Sequence, residues 1–238
     1  MESLKGKSVL ITGATGGIGA ATARLLAASG AQVFITGRNE ERLKALQQEL
    51  QLPADRFFAA DLSSASEVDK LKERFHAVFP TIDILVNAAG VGIIKPIDTL
   101  TGEEFMTTLQ VNLVAPFLLM KAFLPAMKDV KKGLIINIPG VLGKVPMAGA
   151  AAYSASKYGL TGMMQSIREE LKRTDIRITN LFLGGVDSAF WDHIDLRVQR
   201  EKMIRAEEAA KSVWFLCQQP LSGVVSEMVL QPFNHQAI

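Results

Sequence analysis

Short runs of β-branched and aliphatic residues recur along the chain, each followed by a longer stretch with apolar positions three and four apart. The first pattern fits a strand buried on both faces and the second an amphipathic helix, so their alternation predicts βαβ units and a parallel sheet. Seven strands are expected, at residues 9–12, 32–36, 57–60, 84–87, 134–138, 176–182 and 225–230. Most are apolar throughout, which places them inside the sheet rather than at a wet edge. Helix starts are marked as well: Ser64-x-x-Glu67 and Thr101-x-x-Glu104 read as capping boxes, in which hydroxyl and carboxylate satisfy free backbone donors. From Thr101 a helical pattern runs to Lys128, with a bend expected near Pro116. The expected architecture is one doubly wound α/β domain over residues 1–238, with helices on both faces of the sheet. Residues 187–217 show no strand pattern and are expected to form a short lid.

Composition narrows the function classes. Lys and Arg number 26 against 24 Asp and Glu, a formal charge of +2, far from the one-signed basic surface of a nucleic-acid binder. The single cysteine, Cys217, closes no intrachain disulfide, and His76, His193 and His235 show no ligand spacing, so no metal site is expected. A reducing, cytoplasmic setting fits this cysteine usage. The opening MESLKGK lacks the cationic and apolar regions of a signal peptide. The most membrane-like run, 111–127, is broken by Asn112, Pro116, Lys121 and Pro125, whereas a span needs about 20 apolar residues. No membrane partner is expected.

Three local patterns bear chemistry. Thr12-Gly-Ala-Thr-Gly-Gly-Ile-Gly19 follows the first strand and opens a helix. Gly13, Gly16, Gly17 and Gly19 let the backbone turn tightly and approach a pyrophosphate, while free N–H groups at the helix start hold the anion. The second strand ends Thr36-Gly37-Arg38. A carboxylate near this point would accept from a ribose 2′-hydroxyl, whereas Arg38 suits a 2′-phosphate, so NADP(H) is favoured, with NAD(H) as the alternative. A solvated, purely structural Arg38 is the other reading. Tyr153-x-x-x-Lys157 places a phenol and an ammonium on one helical face, where the cation is expected to favour the phenolate.

Taken together, Thr12 to Gly19, Asp61 after the third strand, Asn87-Ala-Ala-Gly90 after the fourth, Asn112 within a helix and Tyr153-x-x-x-Lys157 after the fifth resemble the short-chain dehydrogenase/reductase family in order and spacing. The resemblance covers essentially the whole chain. It implies a Rossmann-type enzyme moving a hydride between NAD(P)H and a carbonyl or hydroxyl carbon of a small-molecule substrate. It also implies that Gly13, Thr15, Gly16, Gly17, Ile18 and Gly19 cradle the cofactor, that Asp61 and Leu62 meet the adenine, and that Asn87, Ala88 and Gly90 line its path. A cap on the helix start at Ser63 and Ser64 is the alternative reading of Asp61. Tyr153 resembles the acid/base, Lys157 the residue that tunes it and holds the nicotinamide ribose, and Asn112 the asparagine that positions a proton-relay water. Gly184-Gly-Val-Asp-Ser188 resembles the segment at the carboxamide, implying roles for Gly184, Val186 and Ser188, although Leu183 stands where a proline is usual. Assembly as a homodimer or homotetramer is implied too, and Gly149 to Ala152 would allow close helix packing.

One departure stands out. The family's catalytic serine lies thirteen residues before the tyrosine, and that position is Gly140; between Thr108 and Ser154 there is no serine or threonine to replace it. Loss of such a donor typically costs about 10²- to 10³-fold in rate. Three readings stay open: a water or substrate hydroxyl does the serine's work, the protein binds a dinucleotide as a regulator or scaffold with little catalysis, or this position has been altered. On the substrate side, Val91, Ile93, Val141, Leu142, Met147, Phe190 and Trp191 are expected to form a largely apolar pocket, with Phe190 and Trp191 packing the lid as the plainer reading. Arg197, Arg200, Lys202 and Arg205 read as a solvated helical face, with contact to an anionic substrate tail as the alternative.

Overall fold

The strands are β1 (Ser8–Thr12), β2 (Gln32–Gly37), β3 (Phe57–Ala59), β4 (Ile84–Asn87), β5 (Lys132–Asn137), β6 (Asp175–Leu183), β7 (Val186–Asp187), β8 (Ile204–Arg205) and β9 (Glu227–Leu230) in a computed structural model that describes residues 1–233. His235 lies outside the described residues. Seven of these strands form one parallel sheet in the order β3-β2-β1-β4-β5-β6-β9. The expected strands are all present, and the last begins at Glu227 rather than residue 225. The small β7·β8 pair had no sequence pattern to announce it.

Side chains alternate between two cores, as a sheet covered on both faces requires. Val9 and Ile11, Ile84 and Val86, and Leu134 and Ile136 point to one face, where α1 (Gly17–Ala28) and α7 (Ala206–Cys217) cover them. Leu10, Leu85 and Ile135 point to the other, against α3 (Ala65–Val78), α5 (Ala115–Asp129) and α6 (Ala151–Glu170). α2 (Glu40–Glu49) covers the first face through Leu43 and Leu46, and α4 (Gly102–Leu109) leads into α5. At about 25 cal/mol per Å² of apolar surface removed from water, these two cores supply the main folding drive. The chain winds from β1 outward through β2 and β3, then returns to β4 on the other side. This reversal leaves a crevice at the adjoining carboxyl ends of β1 and β4, where Thr12 pairs with Asn87.

Four expectations change in detail. Thr101 forms a full capping box with Glu104, but Ser64 forms only half of one: its hydroxyl accepts from Glu67 N, while the Glu67 carboxylate turns to Lys70 at 2.8 Å. The bend near Pro116 falls one turn earlier, as a π turn over Gln110–Val114. Pro116 has no N–H for the carbonyl four residues back and its ring crowds it, so the backbone widens at Asn112. The stretch expected as a lid, 187–217, does not stand off the body as a whole, because Ala209, Val213, Leu216 and Cys217 bury one face of α7 in the core. Only the part before α7 overhangs the sheet, as two 3-10 turns, Ala189–His193 and Arg200–Lys202, and β8. The presumed basic helical face is therefore no helix, and its residues part company. The helical stretch Gly102–Asp129 is long and apolar enough to cross a membrane, with a mean hydropathy of 1.5. Its Leu119, Met120, Phe123 and Met127 are instead buried in the second core.

Candidate functional site

The crevice is built around Thr12, whose hydroxyl donates to the Val86 carbonyl (3.3 Å) and accepts from Ala89 N (3.2 Å). The glycine loop is thereby held against the turn after β4. Gly13 has φ +64°, and a Cβ there would lie 2.7 Å from the Ala89 backbone, so both conformation and space require glycine. A Cβ at Gly19 would collide with the Gly13 carbonyl, and one at Gly17 would come 2.8 Å from the Ser188 Cβ. α1 starts at Gly17 with Gly16 as its cap residue, no side-chain cap and no acidic residue in its first turn. Its leading N–H groups thus face the crevice without an internal partner, a cradle suited to a phosphate.

At the far side of the loop, Gly37 ends β2 so close to Thr15 that a Cβ would lie 3.2 Å from the threonine hydroxyl. Arg38 follows, exposed. The Asp61 carboxylate accepts from Ser63 Oγ (2.6 Å) and Ser63 N (3.0 Å), closing the turn before α3 as its plainer reading expected. Those bonds, with a smaller contribution from the Arg38 charge, hold it below its usual range. Leu62 turns its side chain into the second core, so it has only backbone to offer a ligand.

Tyr153 and Lys157 stand one turn apart near the start of α6. Lys157 is 4% exposed, and its ammonium donates to the Ile138 carbonyl at 3.2 Å and lies 5.4 Å from the centre of the Tyr153 ring. Among the described residues no carboxylate pairs with it. Burial therefore lowers its pKa to about 8. Burial also pushes the Tyr153 phenol above its ordinary value. The expected bias of the cation toward a phenolate is thus outweighed by desolvation of the tyrosine.

Asn112, 1% exposed in the π turn, donates to the Val91 carbonyl (2.9 Å) and Ser156 Oγ (3.1 Å) and accepts from Val91 N (2.9 Å). Ser156 in turn donates to the Tyr153 carbonyl (2.7 Å), so one chain of hydrogen bonds fixes the turn after β4 to the start of α6. Ser156 carried no signal in the sequence. A Cβ at Gly90 would meet Asn112 Oδ1 at 3.2 Å and the Lys157 ammonium at 3.5 Å, which brings the three positions together. Asn87 sits behind them, 4% exposed, its amide donating to Asn137 Oδ1 at 2.8 Å, and Ala88 follows it into the turn. A Cβ at Gly140 would lie 3.7 Å from the Tyr153 hydroxyl, so this is the position from which a serine would face it. Its φ of +70° favours glycine over serine.

Beside Tyr153 opens a cavity of about 520 Å³, lined by Ile18 from the loop, Gly140, Val141, Leu142 and Met147 from the segment after β5, and Gly184, Val186 and Ser188 after β6. Ile94 lines it, while the expected Val91 and Ile93 do not. Pro232 also contributes, a residue with no sequence signal for it. Phe190 and Trp191 do both things expected of them: they line the cavity and pack the overhang. The Phe190 ring rests against Gly92 and 5.9 Å from the Tyr153 ring, and Trp191 Nε1 donates to the Val186 carbonyl at 2.9 Å. Arg200 clamps the overhang by pairing with Asp187 and Asp192, each at 2.7 Å, and donating to the Ser188 carbonyl. Arg205 is spent on Glu208. Arg197 and Lys202 instead reach the cavity wall.

A glycine loop at the switch point of a doubly wound sheet, with tyrosine and lysine one helical turn apart on the same edge, defines a dinucleotide-fold oxidoreductase. The family described as short chain dehydrogenase matches residues 7–198, and the chain belongs to the short-chain dehydrogenase/reductase family. An uncharacterized oxidoreductase of Staphylococcus epidermidis is 32% identical over 232 residues, 98% of this chain and 100% of the relative. A metagenomic short-chain oxidoreductase solved with NADP superposes with a TM-score of 0.84 at 35% identity, over 98% of this chain and 100% of that one. The alcohol dehydrogenase of the archaeon Thermococcus sibiricus, solved with 5-hydroxy-NADP, gives 0.88 at 28% identity over the same shares.

The buried ammonium makes a stability prediction. Its pKa falls from 10.5 in the unfolded chain to about 8 in the folded one, so the unfolded state binds more protons between these values and stability rises with pH across that window. Below pH 8 the whole penalty is present, and Lys157→Met should raise the unfolding free energy there by about 1 to 3 kcal/mol, the gain fading toward pH 10.5. Urea unfolding of both proteins across this range checks it; a variant less stable at pH 7 contradicts it.

Proposed function

We propose that the protein is an NADP(H)-dependent carbonyl reductase or alcohol dehydrogenase for a small, largely apolar ketone or alcohol. The observation that carries this reading is the cavity wall itself, on which the Tyr153 hydroxyl stands beside Ile18 of the glycine loop and Ser188 of the segment after β6. The uncapped start of α1, with Gly13, Thr15, Gly16, Gly17 and Gly19, fits a pyrophosphate; Arg38 and Asp61 would face the adenosine half, and Gly90, Gly184, Val186 and Ser188 the nicotinamide half. The bound cofactor supplies or accepts the hydride. Tyr153 moves the proton at the substrate oxygen, its neutral phenol being the acid in reduction. Lys157 holds a positive charge 5.4 Å from that ring, stabilising the phenolate left when the proton departs, and Asn112 and Ser156 hold the helix start in place. Val141, Leu142, Met147 and Phe190 exclude water around the reacting carbon.

At Gly140 the backbone offers no hydroxyl, so the second donor to the substrate oxygen comes from a water or from a hydroxyl of the substrate. The same gap favours the second reading, an NADP(H)-binding regulator or scaffold with little turnover. One domain over residues 1–238, a lid that closes over the cavity, a cytoplasmic setting and a homodimer or homotetramer complete the proposal.

NADPH oxidation across a panel of ketones, aldehydes and diketones, beside a binding titration, separates the two readings. Tyr153→Phe should abolish turnover while changing NADPH affinity by no more than about 2-fold, since the ring stays and only the phenolic proton goes. Turnover retained by that variant contradicts the assigned proton donor, and tight NADPH binding without turnover in the unmodified protein favours the regulator. Arg38→Ala should weaken NADP(H) by about 10-fold while leaving NAD(H) unchanged, because a charge-assisted contact to phosphate is lost. Equal affinity for the two cofactors in the unmodified protein contradicts the preference.

A further inference from the structure

We propose that Arg197 and Lys202 form a recognition site for an anionic oxygen group, a carboxylate or a phosphate ester, carried by the substrate; this deepens the enzymatic reading above and rests on it. Every other described residue lining the cavity is uncharged, and among the described residues no carboxylate lines it. The other polar lining residues, Tyr153, Ser188 and Gln199, are neutral, so Arg197 and Lys202 are the charged groups that would favour an anionic ligand over a neutral one.

The local charge balance points the same way. The overhang brings its own carboxylates, but Asp187 and Asp192 are both spent on Arg200, each at 2.7 Å. Glu208 is spent on Arg205 at 2.7 Å. Asp195 and Glu201 are exposed, and among the described residues neither pairs with Arg197 or Lys202. Arg200 therefore takes up Asp187 and Asp192 and fixes the segment's path, while Arg197 and Lys202 line the cavity with no ion-pair partner among the described residues. The planar fork of Arg197 matches two oxygens of a carboxylate or phosphate, and Lys202 adds a point charge beside it. The cofactor's own phosphates have other partners within reach of the chain: the uncapped start of α1 and, at the far side of the loop, Arg38. The substrate implied is amphipathic, with its reacting carbon at Tyr153, an apolar body along Val141, Leu142 and Met147, and its anionic end at the overhang.

The test pairs probes that share an aromatic ketone and differ in charge: benzoylpropionate with its methyl ester, and phenacyl phosphate with phenacyl alcohol. Calorimetric affinity is measured with and without saturating NADP⁺, and NADPH turnover is measured beside it. The anionic member of at least one pair should bind about 10-fold or more tighter than its neutral counterpart, the winning pair telling carboxylate from phosphate, and the preference should shrink at high salt because both cations are solvent-exposed. In the Arg197→Ala, Lys202→Ala double variant the preference should fall below about 2-fold while NADP⁺ affinity stays unchanged. Equal binding of charged and neutral members by the unmodified protein overturns the inference, as does a double variant that loses NADP⁺ affinity, which would assign the cations to the cofactor. Anion preference that depends on both cations without turnover of any probe upholds the recognition site and counts against the enzymatic reading instead.

Discussion

A single ammonium, buried with no carboxylate partner among the described residues, organises this molecule's chemistry. Lys157 lies on a helix whose first turn also carries Tyr153, and its charge is met by a backbone carbonyl, Ile138 at the end of β5, rather than by an acid. A buried cation so placed is costly, and the surroundings are shaped to tolerate it. Gly90 leaves room for it where any side chain would meet both the ammonium and Asn112. Asn112 and Ser156 tie the turn carrying Gly90 to the helix carrying Lys157, so lysine and tyrosine keep their relative position. The result is a weakly held proton on a lysine and a strongly held one on a tyrosine, two groups whose environments have been pushed apart in the same corner.

The sheet puts that corner next to the dinucleotide cradle. Because the strand order reverses between β1 and β4, the loop after β1 and the turn after β4 share one edge, and Thr12 and Gly13 bind them at van der Waals contact. Substitution at Gly13 would push the two apart and separate the cradle from the tyrosine, which is why packing, not only turn conformation, demands glycine there. Gly17 makes the corresponding approach to Ser188, joining the loop to the overhang.

Much of this was legible in the sequence because the signals were local. Seven strands announced themselves by runs apolar on both faces, and the glycine loop and the tyrosine–lysine spacing by short motifs placed between strand and helix. What escaped depends on contacts distant in sequence. The bend was expected at Pro116, but the carbonyl it displaces lies a turn earlier, at Asn112. Ser64 looked like half of a reciprocal cap until Lys70 drew away its partner. The basic run after residue 196 read as one helical face, yet Arg200 turns to two acids while the exposed Arg197 and Lys202 line the cavity. Spacing also suggested that Lys157 would lower the tyrosine's pKa, whereas burial, invisible in spacing, dominates both groups. At Gly140 the missing hydroxyl was plain, but the left-handed backbone that makes serine unwelcome there was not.

The desolvation of the Lys157 ammonium can be read directly. Protein labelled with ¹³C at the lysine ε-carbons, with the Lys157 resonance assigned by its loss in Lys157→Arg, is titrated by NMR in the absence of cofactor. A desolvated Lys157 moves this one resonance with a midpoint of about 8, well below the 10.5 of an ordinary lysine. A midpoint at or above 10 would show a solvated or ion-paired lysine and would contradict it.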